Sequence, residues 1–124
     1  MWRKIALAAF ALITLSVLAD QLHLVTTSGF GDSVKGASEA VLQQNLFTLR
    51  ALLNQYKLDL QKRPQSLDDL VVAGYLKRVP SDPMTKRNDT WVVEWSNDPR
   101  MQGIVNIRSR SRAISSKGTM YSDW

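Results

Sequence analysis

Between Ala37 and Gln61 the apolar side chains Leu42, Leu46, Leu49, Leu53, Tyr56 and Leu60 return at intervals of four, three, four, three and four. That is the period of an α-helix. It sets all six on one stripe, while Gln43, Gln44, Arg50, Asn54 and Lys57 are mostly turned elsewhere. Ser38 is placed to cap the start, and Pro64 forbids continuation much beyond Lys62. Phe47, Leu52 and Leu58 widen the apolar surface beyond one stripe. The helix is therefore expected to pack on a sheet, with apolar surface left for neighbouring subunits.

Ser66-Leu67-Asp68-Asp69 opens a second, short helix, with Ser66 and Asp69 spaced for reciprocal capping. Gly74 can end it in the left-handed conformation. Tyr75, Leu76 and Val79 follow as apolar docking residues, and Ser81-Asp82-Pro83-Met84 is a turn signal. Thereafter the period shifts to two. Trp91-Val92-Val93-Glu94-Trp95 and Ile104-Val105-Asn106-Ile107 read as strands, reversed through Asn97-Asp98-Pro99 and Gly103. A weaker third strand is expected near Arg112 to Ile114. The fold class is α+β: one long amphipathic helix on a small antiparallel sheet, with a short helix between.

The N-terminus follows a different plan. Arg3-Lys4 precedes an uninterrupted apolar run from Ile5 to Ala19, the layout of a secretory leader. Val17 and Ala19 offer small residues for cleavage before Asp20. Retention as a membrane anchor through residues 5–19 is the other fate open to it. Either way Arg3 and Lys4 stay cytoplasmic and the remainder lies across the membrane. Thr26 to Gly36 carries three glycines and reads as a linker. The expected organisation is a leader or anchor over 1–25, a flexible linker over 26–37 and a head domain over 38–124.

Composition narrows the chemistry. The 124 residues suit one domain and contain no cysteine, so packing and not disulfides must hold an exported head together. Of the 16 basic residues two lie in the leader, which reduces the net charge of +5 to +3 from Asp20 onward. Arg108, Arg110 and Arg112 form the one run of like charge. A solvated strand face is the plain reading; an anion-binding face for lipid headgroups is the alternative, with nucleic acid the less favoured partner.

Catalysis finds no support. The single histidine, His23, stands at the leader boundary without an acid–nucleophile pair. Asp68 and Asp69 are neighbours that point apart on a helix and read as capping residues. Asp82, Asp89 and Asp98 fall in turns that favour aspartate. Trp91 and Trp95 suit packing on one strand face better than base or sugar stacking. No cofactor motif is present, and the chain is expected not to be an enzyme.

Several strings occur in a telling order: Asn45-Leu46-Phe47-Thr48-Leu49-Arg50, Tyr56-Lys57-Leu58-Asp59, Arg63-Pro64 and Ser66-Leu67-Asp68-Asp69-Leu70. Gly74-Tyr75-Leu76, Val79-Pro80-Ser81-Asp82-Pro83, Asp89-Thr90-Trp91 and the closing Gly118 to Trp124 follow. Together they resemble the major-pseudopilin family of type II secretion, within the type IV pilin-like superfamily, over roughly two thirds of the chain. The resemblance implies a non-enzymatic part of an envelope-spanning assembly. Its partners would be other pseudopilins and the inner-membrane platform, and its head would face the periplasm.

Two departures accompany it. The family's prepilin leader, with Gly before the apolar run and Glu five residues into it, is not matched. The family's calcium site is also expected to be absent, because Asp123 is the only carboxylate between Ser109 and Asp123 and calcium takes six to eight oxygens. The sequence thus points to a pseudopilin-like assembly component in the inner membrane. The alternative is a soluble periplasmic pilin-like binding module that does not polymerise and binds an anion or DNA through the Arg108, Arg110 and Arg112 face.

Overall fold

A computed structural model describes residues 29–124. The leader expected over 1–25, with the run 5–19 and His23, lies outside the described residues. The long helix α1 (Trp2–Leu60) runs into a short helix α2 (Asp68–Val72), followed by strands β1 (Val92–Trp95) and β2 (Ile104–Arg108) and a 3₁₀ turn at Tyr121–Asp123. The chain divides into two compact units, residues 1–35 and 36–124.

In the first unit the described residues, Gly29 to Lys35, are helical and exposed, Phe30 and Val34 among them. The expected linker differs here, since residues 29–37 lie within α1. Glycine lowers helix propensity by about 1 kcal/mol per residue without forbidding the helix. The Ser33 hydroxyl donates to the carbonyl of Gly29 at 2.8 Å, one turn back. The boundary between the units nevertheless falls inside that segment.

In the second unit α1 lays Leu42, Leu46, Leu49, Leu53 and Tyr56 into a core completed by Leu70, Val79, Trp91, Ile104, Ile107 and Tyr121. Burial of each large aliphatic side chain contributes about 1.5–3 kcal/mol before entropy is counted. Leu60 departs from the expected stripe and is 43% exposed. It is the last residue of α1, and Gln61 at φ +56° turns the chain before Pro64, so nothing returns to cover it.

The capping of α2 also differs from expectation. Leu67 occupies the cap position without a side-chain bond. Asp69 instead reaches back alone, its Oδ2 accepting from the N–H groups of Gln65 at 2.7 Å and Ser66 at 3.3 Å. Gly74 takes φ +86° just beyond the helix, and Tyr75 N–H donates to Leu70 O at 2.9 Å.

β1 and β2 pair antiparallel, with Val92 opposite Arg108 and Glu94 opposite Asn106. The register slips between Glu94 and Trp95, and such a bulge re-aims the following side chain. Trp91, before the slip, is buried, its indole N–H donating to Pro80 O at 2.8 Å, while Trp95, after it, is 51% exposed. The two tryptophans do not share one packed face. The third strand expected near 112–114 is reduced to a single bridge between Ile114 and Met120, because Ser115 to Thr119 turns the chain at once.

Candidate functional site

Two polar side chains on α1 hold the C-terminal segment. Glu39 lies three residues before Leu42 and is buried with the stripe. Its Oε1 accepts from Ser116 N–H at 2.7 Å and from the Tyr121 hydroxyl at 2.8 Å, while Oε2 accepts from Ser116 Oγ at 2.5 Å. Three turns further on, Arg50 Nε donates to Asn106 Oδ1 at 2.8 Å. Its Nη2 donates to the main-chain oxygens of Ile107 at 2.9 Å and Trp124 at 2.7 Å. One planar guanidinium thus ties the helix to β2 and to the last residues, a geometry that the point charge of lysine does not reproduce.

Asp82 supplies a third anchor and is fully buried. Its Oδ1 accepts from Met84 N–H at 2.8 Å and its Oδ2 from Ser109 Oγ at 2.5 Å, joining the 82–87 turn to the end of β2. Tyr121 and Trp124 meet edge to face, with centroids 5.2 Å apart. Burial, then the bond to Glu39, pushes the Tyr121 hydroxyl up to about 12. At the far end of α1, Tyr75 donates to Asp59 Oδ2 at 2.5 Å, and that bond raises its pKa.

Sequence reasoning missed Glu39, Arg50 and Asp82 as organising residues. A signal existed for Glu39 alone, a carboxylate falling on the apolar stripe by the same count of three and four.

The outward surface of α1 in this unit carries Val41, Phe47 and Leu58, with Phe47 71% exposed. Phe47, Leu46, Gln43, Arg50, Lys117 and Trp124 line a groove of about 400 Å³. Leu42 to Tyr56 therefore face the domain's own core, and a separate set of apolar side chains is left to other surfaces.

The arginine run is not one free face. Arg108 Nε lies 2.5 Å from Glu94 Oε1 as a half-exposed ion pair. Asn106, first, and Arg108 hold the Glu94 carboxyl below the usual range. Arg110 Nε donates to Thr90 O at 3.4 Å, and Arg112 is exposed.

In the segment 109–123 the carboxylate of Asp123 is exposed, and Ser115, Ser116 and Thr119 direct their hydroxyls to one another and to Glu39. Among the described residues no group of three or more His, Cys, Asp or Glu side chains could hold a metal ion, and no helix is long and apolar enough to cross a membrane. Set against protein-family models, curated proteins and solved structures, the chain matches none.

Proposed function

We propose that the chain is a non-enzymatic, pseudopilin-like component of a type II secretion or pilus-type envelope assembly, acting through helix packing and subunit contact. One observation carries the reading. α1 turns Leu42 to Tyr56 into the core of its own head and leaves Val41, Phe47 and Leu58 outside, side chains that this reading gives to neighbouring subunits. The order of family-like strings from Asn45 to Trp124 agrees with it. Glu39, occupied by Ser116 and by the buried Tyr121, serves in this reading as a structural tie. In this reading the leader places the head outside the cytoplasm, and the partners are other pseudopilins and the inner-membrane platform.

A bacterial host expressing the full chain with a photo-crosslinking residue at Phe47 tests it. The expected result is a head digested by protease added to spheroplasts and a defined adduct with a second copy or another pseudopilin. A head that stays protected in the cytoplasm, or one that is exported and yields no adduct with any pseudopilin, overturns the assembly reading. The soluble binding module finds less support, because Arg108 is already paired and Arg110 is turned to the backbone of Thr90.

A further inference from the structure

We propose that the domain holds a phosphate-sized oxyanion in the small cavity where the chain turns out of α1, with Arg63 as its principal ligand. This inference is independent of the assembly reading. The cavity, about 230 Å³, lies between the 61–65 turn and the 100–102 loop, with Tyr56, Lys62, Arg63, Asp69, Arg100 and Gln102 in its walls. That volume suits an inorganic anion or a single headgroup and falls short of a drug-sized pocket.

The charge balance in the walls is three cations against one carboxylate. Asp69 is committed elsewhere, because its Oδ2 accepts the N–H groups of Gln65 and Ser66 at the start of α2. Arg100 meets Asp98 at 3.3 Å, but its side chain is 90% exposed, so the pair is weak and the guanidinium can turn inward. Arg63 is the decisive group. It lines the cavity, and its Nε is buried without a hydrogen bond, which leaves the two terminal nitrogens, bonded to none of the described residues, as the donors that face the opening. Its planar fork of donors matches two oxygens of a phosphate or carboxylate.

The surroundings fix Arg63 in place. A Cβ added at Gly103 would come within 2.5 Å of Arg63 Cβ, so this close approach depends on glycine. Gln65 Nε2 donates to Arg63 O at 3.2 Å and to Gln102 O at 3.0 Å, joining the two walls. Helix C-termini normally repel anions. Here two carbonyls of the last turn are already satisfied by Gln61, Lys57 O by its N–H at 3.0 Å and Leu58 O by its side-chain amide at 2.9 Å.

Thermal melting and titration calorimetry of the full chain with inorganic phosphate, against sodium chloride at matched ionic strength, test the site. The expected result is saturable binding to phosphate that Arg63→Gln weakens at least tenfold and Arg100→Gln weakens less. Should Arg63→Gln not fold, the exposed pair Lys62→Gln with Arg100→Gln carries the test and is expected to weaken binding several-fold. Phosphate that acts no differently from chloride, or equally on wild type and variants, overturns the site. A second arm uses phosphatidylglycerol vesicles. Retention that free phosphate displaces and Arg63→Gln abolishes identifies a lipid headgroup as the source, and phosphate binding without retention identifies a soluble anion.

Discussion

Tyr121 donates its hydroxyl hydrogen to Glu39 Oε1 at 2.8 Å, although 82 residues separate the two in sequence. Both side chains are buried, so the bond replaces water on both partners. The same carboxylate receives the N–H and hydroxyl of Ser116. A carboxylate that accepts several donors in a buried place contributes more than an exposed pair does, and its removal leaves those donors unsatisfied.

Glu39→Ala is therefore expected to cost about 2–4 kcal/mol, because it strands a backbone N–H and two hydroxyls and also opens a void. Glu39→Gln keeps an acceptor oxygen and should cost about half as much. Chemical denaturation measures the loss, and limited proteolysis should cut first between Ala113 and Trp124. Equal stability in wild type and Glu39→Ala would show that the carboxylate does not hold the segment.

The legible part of this fold is the part with a local period. Leu42 to Tyr56 repeats every three or four residues, and those side chains form the helix face of the core. The two strands show in their alternation, but the slip after Glu94 does not, so Trp95 lies half-exposed where a regular alternation would set it beside Trp91. The glycines of Thr26 to Gly36 read as a linker, yet residues 29–36 lie within α1, because glycine disfavours a helix without forbidding it. The clamp was hidden for a different reason. Arg50 bonds to residues 56, 57 and 74 positions away, and Ser116 lies 77 positions from Glu39, distances that no local pattern encodes. The helical period says of Arg50 only that it is turned away from the stripe, and the returning chain makes it a tie.

The raised pKa of Tyr121 fixes the sign of an alkaline effect. The unfolded phenol releases its proton near the ordinary value of about 10, whereas the folded one keeps it to about 12. Between those values the native state binds more protons than the unfolded state, so stability falls as pH rises. The Tyr121 contribution is fully present below about pH 10 and lost as pH passes about 12. Stability followed by denaturation at stepped alkaline pH should decline across that window, and tyrosinate absorbance should show a late-titrating component. Tyr121→Phe should remove that component. A titration unchanged in Tyr121→Phe would sink the assignment.

Leu49 and Leu60 share one sequence stripe and differ in surroundings, which makes them a matched pair. Leu49 is fully buried and Leu60 is 43% exposed. Leu49→Ala is expected to cost about 2–5 kcal/mol through lost transfer energy and the cavity left behind. Leu49→Asp should prevent folding of the head, since an unpaired carboxylate would replace it. Leu60→Ala should stay within about 1 kcal/mol of wild type. Thermal melting of the three variants checks the contrast, and similar losses from both alanine substitutions would mean that the covered stripe extends to the end of α1.

Gly103 sits where two segments meet with no room for a side chain. Its φ is +142°, a region that residues with a Cβ rarely enter, and Ile104 N–H beside it donates to Pro64 O at 2.9 Å. A Cβ at this position would lie 2.5 Å from Arg63 Cβ and 2.8 Å from Pro64 O. The first neighbour is close to the main chain and the second belongs to it, so neither can swing away as the tip of a long side chain would. Gly103→Ala must therefore displace the 63–65 backbone or twist the start of β2, and strain with overpacking should cost about 2–4 kcal/mol. Gly74 offers the control. It also has positive φ, at +86°, but nothing lies within 4 Å of an added Cβ, so Gly74→Ala should carry only the conformational penalty, about 1 kcal/mol. Denaturant midpoints of the two variants measure the difference directly. A Gly103→Ala protein as stable as Gly74→Ala would show that the turn into β2 yields easily and that the Arg63–Gly103 approach is not fixed by packing.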